Sequence, residues 1–189
     1  MKKILILLVV ILGIFISCSN EKADSSAKEG SKKILVVYFS ATGNTKRIAQ
    51  IIASDRNADI FEIVPESPYT TEDLNSKNPD SKVAKEKADK FIRPKIKNSI
   101  ENFSQYDVVF LGYPIWWGEA PRIMNTFVES NDFNGKTVIP FVTSGNSEIG
   151  TSPNPLKEKT KGAAWKEGKR FSASSSEADV KKWIKKLGL

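Results

Sequence analysis

The run ILVVYF (34–39) passes directly into SATGNTKR (40–47). A strand that is apolar at every position is buried on both faces. Behind it come small hydroxyl residues, one glycine, and then TKRIAQIIAS (45–54), a helical segment with Ile48, Ile51 and Ile52 on one side. A buried strand that feeds such a loop into a helix N-terminus predicts an anion site. Gly43 lets the backbone turn tightly. Hydroxyls of Ser40, Thr42 and Thr45, with the Asn44 amide, can donate to phosphate oxygens. The helix adds free N–H groups and about half a positive charge. Ala41 completes the loop, and Lys46 and Arg47 read as a solvated face.

The residues narrow the kind of phosphate. A nucleoside triphosphate loop ends in Gly-Lys-Ser/Thr, and that lysine is missing. A dinucleotide fingerprint needs three spaced glycines, and Gly43 stands alone. Glu62 falls about 20 residues on, where that fingerprint places a ribose-binding acid. Without the glycines it reads as a strand-end charge. A single terminal phosphate is the better fit.

Further out, DIFEIV (59–64), DVVFLGY (107–113) and KTVIPFVTS (136–144) read as strands, with a short one at 169–172. Helices are predicted over 81–91 and 121–130, from about Asn154, and over 176–187. Residues 65–80 form a polar loop containing Pro65, Pro68 and Pro79. Apolar strands separated by helices predict a single α/β domain over 33–189, its parallel sheet covered on both faces. Ligands bind such a sheet beyond the carboxyl ends of its strands.

Two more loops fall at those ends. YPIWWGEAP (113–121) sets two adjacent tryptophans there. Each ring either packs in the core against helix 121–130 or offers a flat ligand a stacking face, with Gly118 able to change conformation. TSGNSEIG (143–150) brings the N–H groups of Gly145 and Gly150 close, with Ser144, Asn146 and Ser147 as donors and acceptors. Alone that turn says little. Together the three loops offer a phosphate site, an aromatic platform and a polar edge.

SATGNT, YDVVFLGYPIWWGEAP and GKTVIPFVTSGNSEIGTS, with DLNSK at 73–77, resemble the flavodoxin family in its short-chain form, over roughly 33–187. The resemblance implies a flavodoxin-like three-layer sandwich with a five-stranded parallel sheet in the order 2-1-3-4-5, and bound FMN. It assigns Ser40, Ala41, Thr42, Gly43, Asn44 and Thr45 to the flavin phosphate. Pro114, Ile115, Trp116, Trp117 and Gly118 would cover the isoalloxazine ring. Ser144, Gly145, Asn146, Ser147 and Gly150 would meet its pyrimidine edge. A backbone group near Trp117 and Gly118 would change partner as flavin N5 gains a proton. The chain departs from the family in being basic, in having no aromatic residue in the third loop, and in placing Glu148 there, a side chain expected to face solvent.

Composition excludes much else. The 189 residues include no histidine, which removes Ser-His and Cys-His pairs and most zinc sites. No metal site and no side-chain catalytic group is expected. One cysteine rules out an intramolecular disulfide. The formal charge of +7 accompanies no nucleic-acid motif. Lys181, Lys182, Lys185 and Lys186 fall opposite Trp183, Ile184 and Leu187 and read as a solvated face.

Residues 1–17 read as an export leader: Lys2 and Lys3, an apolar run over 4–16, then Ser17. The ending FISC is similar to a bacterial lipoprotein box, with Cys18 acylated as the new N-terminus. An ordinary cleaved signal or an uncleaved anchor are the alternatives. Residues 18–32, rich in Ser, Lys, Glu and Ala, read as a flexible tether reaching on the order of 20 Å. The sequence thus predicts an exported, lipid-anchored FMN electron carrier at the bacterial cell envelope, its redox partner unidentified. The alternatives are an NAD(P)H-dependent quinone or nitro reductase, with loop 65–80 and Tyr69 beside the flavin, and a non-redox interaction module.

Overall fold

The computed structural model describes residues 32–189. The leader at 1–17, Cys18 and the tether as far as residue 31 lie outside them. Strands β1 (Ile34–Tyr38), β2 (Asp59–Glu62), β3 (Val108–Pro114) and β4 (Thr137–Thr143) form a parallel sheet in the order β2-β1-β3-β4. The fifth position is shared by β5 (Ala164–Trp165) and β6 (Lys169–Phe171), both parallel to β4. The five-position order 2-1-3-4-5 is therefore the one expected.

Strand burial explains the missing polar positions. Leu35 and Val37 of β1 pack on one face, with Ile123, Met124 and Phe127 of α3 (Arg122–Glu129). Val36 and Tyr38 point the other way, to Ile48 and Ile52 of α1 (Asn44–Arg56) and to Val180, Trp183 and Ile184 of α5 (Glu177–Lys186). Trp183 meets Phe110 and Phe171 edge-on, with centroids 5.9 and 5.5 Å away. Its lysine neighbours on α5 are exposed, as the pattern predicts. A box of reciprocal hydrogen bonds between Ser176 and Asp179 starts that helix.

Three features depart from the expected elements. The helix predicted over 81–91 is α2 (Lys82–Ala88), capped by Ser81. It stops because Asp89 is extended and its carboxylate takes the N–H of Phe91 at 2.8 Å. Phe91 is left 75% exposed.

The fifth strand breaks between residues 165 and 169. Ala164 N–H bonds Lys136 C=O and Lys166 N–H bonds Val138 C=O, so the next rung of a parallel ladder needs an N–H from residue 140. Residue 140 is proline, which has none. Gly168 lets the chain pass this ring: a Cβ there would lie 2.5 Å from the Pro140 carbonyl oxygen.

Residues 94–98 supply an unpredicted antiparallel segment beyond the β2 edge. Pro65 bridges Ile96, and the Asn98 amide bonds both Val64 N–H (3.0 Å) and Glu62 C=O (2.8 Å). Among the other helical pieces, α4 (Asn154–Lys157) is a single turn and Phe103–Gln105 a turn of 3₁₀ helix.

Candidate functional site

The first loop leaves β1 and turns at Gly43, whose φ of 86° lies in the left-handed region. The first helical bond of α1 runs from Arg47 N–H to Gly43 C=O. The N–H groups of Asn44, Thr45 and Lys46 therefore precede the intrahelical ladder. No side chain caps this end, and no acid stands in the first turn. Ser40 Oγ accepts from Gly43 N–H at 3.1 Å, and Thr42 Oγ1 accepts from the Asn44 amide at 3.3 Å. Acting as acceptors, both hydroxyls keep their hydrogens free to donate. The loop offers several donors and no carboxylate in the first turn of the helix.

Thr45 differs from its neighbours. Its hydroxyl is buried and bonds Thr143 Oγ1 at 2.7 Å. It ties the start of α1 to the end of β4, so that Thr45 offers its backbone N–H and not its hydroxyl at the helix N-terminus. Lys46 is committed to Glu62 at 3.0 Å, and Tyr38 OH donates to the same carboxylate. Glu62 is thus a paired strand-end charge, as read from the sequence.

The second loop is a tight hairpin. Trp116 and Glu119 exchange both backbone hydrogen bonds at 3.0 Å. Trp117 at φ 50° and Gly118 at φ 81° occupy the two central positions, which is a type I′ turn. For a residue with a side chain, such a φ costs roughly 1–2 kcal/mol. The two indoles take different fates. Trp116 packs edge-on against Phe39 and Tyr69, centroids 5.7 and 5.3 Å away. Trp117 is 40% exposed, with Lys87 Nζ 5.2 Å above its ring.

The third loop joins the other two at its base. Ile115 N–H bonds Thr143 C=O at 2.9 Å, on the residue that also holds Thr45. Ser144 Oγ donates to the Ser147 carbonyl. Arg170 of β6 grips the loop from beneath: Nε donates to Ser144 Oγ (3.1 Å), and Nη2 to the carbonyls of Ser144 (2.9 Å) and Gly145. Gly145, Asn146, Ser147, Glu148 and Gly150 are exposed. The charge built into this loop is Arg170, while Glu148 faces solvent.

A cleft of 350 Å³ opens between the first and second loops. Ala41, Thr42 and residues 114–117 form one side, and Leu74, Ser76 and Val83 the other. Behind it sits a buried carboxylate, Glu86, which accepts from Tyr69 OH at 2.5 Å. Burial raises the pKa of Glu86, against the opposing pull of Tyr69, Arg122 and Lys82. Burial first, and then the Glu86 carboxylate, drives that of Tyr69 far above its ordinary value.

Sequence reading missed Arg170, Glu86 and Val83, whereas Leu74 and Ser76 belong to the 65–80 loop that the reductase alternative set beside the flavin. Arg170 and Glu86 sit among lysines in short polar-looking stretches, where nothing marks a side chain as inward-facing.

Fold and site together define an open, doubly wound α/β domain with a hydroxyl-rich loop at a helix N-terminus and an aromatic-lined cleft at the carboxyl end of its sheet. The chain belongs to the flavodoxin family, whose model matches residues 33–187. It is 45% identical to a candidate flavoprotein from Bacteroides eggerthii, with 84% of this chain and 99% of that one covered and a TM-score of 0.78. A candidate flavoprotein from Bacteroides uniformis is 42% identical, covering 82% and 98%, with a TM-score of 0.78. A Lactobacillus acidophilus flavoprotein in complex with FMN shares the fold at 22% identity, covering 82% and 99%, with a TM-score of 0.62. Among curated proteins, none matches the chain.

Proposed function

We propose that the chain is an FMN-binding electron carrier. The observation that carries this reading is the convergence, across one cleft, of a donor-rich loop at 40–46, free of acids in the first helical turn, with the exposed indole of Trp117. The donor set fits a flavin mononucleotide. A terminal phosphate needs donors and no acid nearby, and α1 begins with both conditions met. The ring needs a flat apolar face and a polar edge. Trp117 would supply the first, and the exposed polar groups of residues 144–150, at the end of the neighbouring strand β4, the second. The same fold carries FMN in the L. acidophilus protein.

Bound flavin supplies one- and two-electron transfer, and the protein supplies binding, orientation and exclusion of side reactions. Ser40, Thr42 and the N–H groups of residues 44–46 hold the phosphate. Residues 114–118 cover the ring. The peptide between Trp117 and Gly118, with positive φ on both sides, would be the backbone group that bonds the ring. Arg170 holds the third loop to the sheet. No side-chain base is required, which agrees with a chain lacking histidine.

Titrating the purified protein with FMN is expected to quench flavin fluorescence at one equivalent. Mixing the complex with NADH or NADPH alone is expected to leave the bound flavin oxidised over seconds. Failure to retain FMN sinks the reading. Rapid bleaching by nicotinamide would instead favour a reductase, a reading supported by Leu74 and Ser76, which bring loop 65–80 into the cleft wall.

The carrier is exported and held to the cell envelope through acylated Cys18, with an unidentified redox protein or small acceptor as its partner. This rests on the leader pattern at 1–17. Palmitate labelling of the full chain in a bacterial host is expected, and is expected to vanish in Cys18→Ser. Equal labelling of both chains refutes the anchor.

A further inference from the structure

In sequence, α2 reads KVAKEKA, a lysine-rich helix with one acid in its middle. That acid is inside: Glu86 is 5% exposed. Its Oε1 accepts from Tyr69 OH at 2.5 Å and its Oε2 from Arg122 N–H at 3.3 Å. Its backbone carbonyl accepts from Arg122 Nε at 2.9 Å. Both partners lead to the hairpin at 116–119, from opposite ends.

Tyr69 reaches the first arm. Its ring meets Trp116 with centroids 5.3 Å apart, and both rings meet Phe39. Arg122 reaches the second arm. Its Nη2 bonds Glu119 Oε2 at 2.8 Å, with the arginine side chain 10% exposed. Between the arms, Trp117 and Gly118 hold positive φ. A turn closed by a single reciprocal pair, with a tryptophan in the left-handed region, persists only when its surroundings over-determine it.

We propose that Glu86 is the positioning residue of this hairpin, fixing the Trp116 arm through Tyr69 and the Glu119 arm through Arg122, and so setting how Trp117 faces the cleft. The carboxylate touches no ligand. Its two oxygens accept from the Tyr69 hydroxyl and from the Arg122 backbone N–H, while the Glu86 backbone carbonyl takes Arg122 Nε, whose guanidinium pairs with Glu119; bonds to a charged acceptor are the strong ones. Val83 and Glu86, on the same helix, line the space behind Trp116 and Trp117. A shift of Glu86 therefore moves the wall and its anchor together.

The N–H groups of Trp116 and Glu119 bond only each other's carbonyls, so their hydrogen exchange reports the hairpin alone. In the full chain without FMN, Glu86→Gln is expected to speed exchange at these two amides about tenfold, the effect of weakening one charge-assisted hydrogen bond. Exchange at Val109 and Leu111 of β3 stays unchanged. Should Glu86→Gln fail to fold, Tyr69→Phe keeps the ring, removes only the hydroxyl, and carries the same expectation. Uniform acceleration across the domain in a folded variant makes Glu86 an ordinary core residue and overturns the proposal. So does unchanged exchange at Trp116 and Glu119. The consequence for FMN, a dissociation constant raised about tenfold, rests on the flavin reading. If the native chain binds no FMN, that reading falls while the exchange rates still decide the role of Glu86.

Discussion

Replacing Thr42 with aspartate is expected to weaken FMN binding about a hundredfold while leaving riboflavin binding unchanged. Thr42 lies in the donor-rich loop, lines the cleft and is exposed. A carboxylate there would face a phosphate dianion at about 5 Å. With an effective dielectric of about 40, the repulsion is roughly 3 kcal/mol, or about a hundredfold in dissociation constant. Salt should shrink the effect, because the site is open to solvent. The comparison with riboflavin isolates the cause. Riboflavin presents the same ring to Trp117 without the phosphate, so only charge at the loop distinguishes the two ligands. Unfolding is an unpromising explanation for any loss, since an acid beside a helix N-terminus is stabilising. If the ratio of FMN to riboflavin affinity stays at its native value, the phosphate does not sit at residues 40–46.

Gly112→Ala is expected to cost about 3 kcal/mol of stability, at the upper end of what overpacking does. Gly112 lies in β3, in register with Tyr38 on one side and Phe141 on the other. A Cβ at this position would meet Phe141 ring atoms at 2.1, 2.5 and 2.7 Å. The phenyl ring lies over the glycine, and Phe141 is fully buried. It cannot swing away without displacing the second face of the core. The urea midpoint should fall with little change in slope. Phe141→Leu in the same chain should recover part of the loss, because the two substitutions share one contact. An unchanged midpoint would mean that the ring relocates freely, contrary to the packing described.

Local patterns carried most of the fold. Apolar runs at 34–39, 108–113 and 138–142 require a sheet covered on both faces, and the helices fall between them because helix and strand periods differ. Where the prediction slipped, a non-local partner was responsible. The fifth strand breaks because Pro140 in β4 cannot donate to it, and nothing near residue 166 records that. The helix over 81–91 stops early at the Asp89 turn, which a helical reading of lysines and alanines does not reveal. The indole pair was ambiguous for the same reason. Trp116 is assigned to the interior by Phe39 and Tyr69, residues 77 and 47 positions away in the chain.

By itself, the sequence determined which groups are available: a glycine that permits a left-handed turn, hydroxyls ahead of a helix, two tryptophans at a strand end, no imidazole anywhere. These follow from the chemistry of each residue and its near neighbours. Tertiary structure alone decided which groups face outward. It turned the Thr45 hydroxyl inward to Thr143, placed Arg170 under the third loop and sank Glu86 behind the hairpin. Direction depends on what packs against a side chain, and in a parallel sheet those neighbours come from distant parts of the chain.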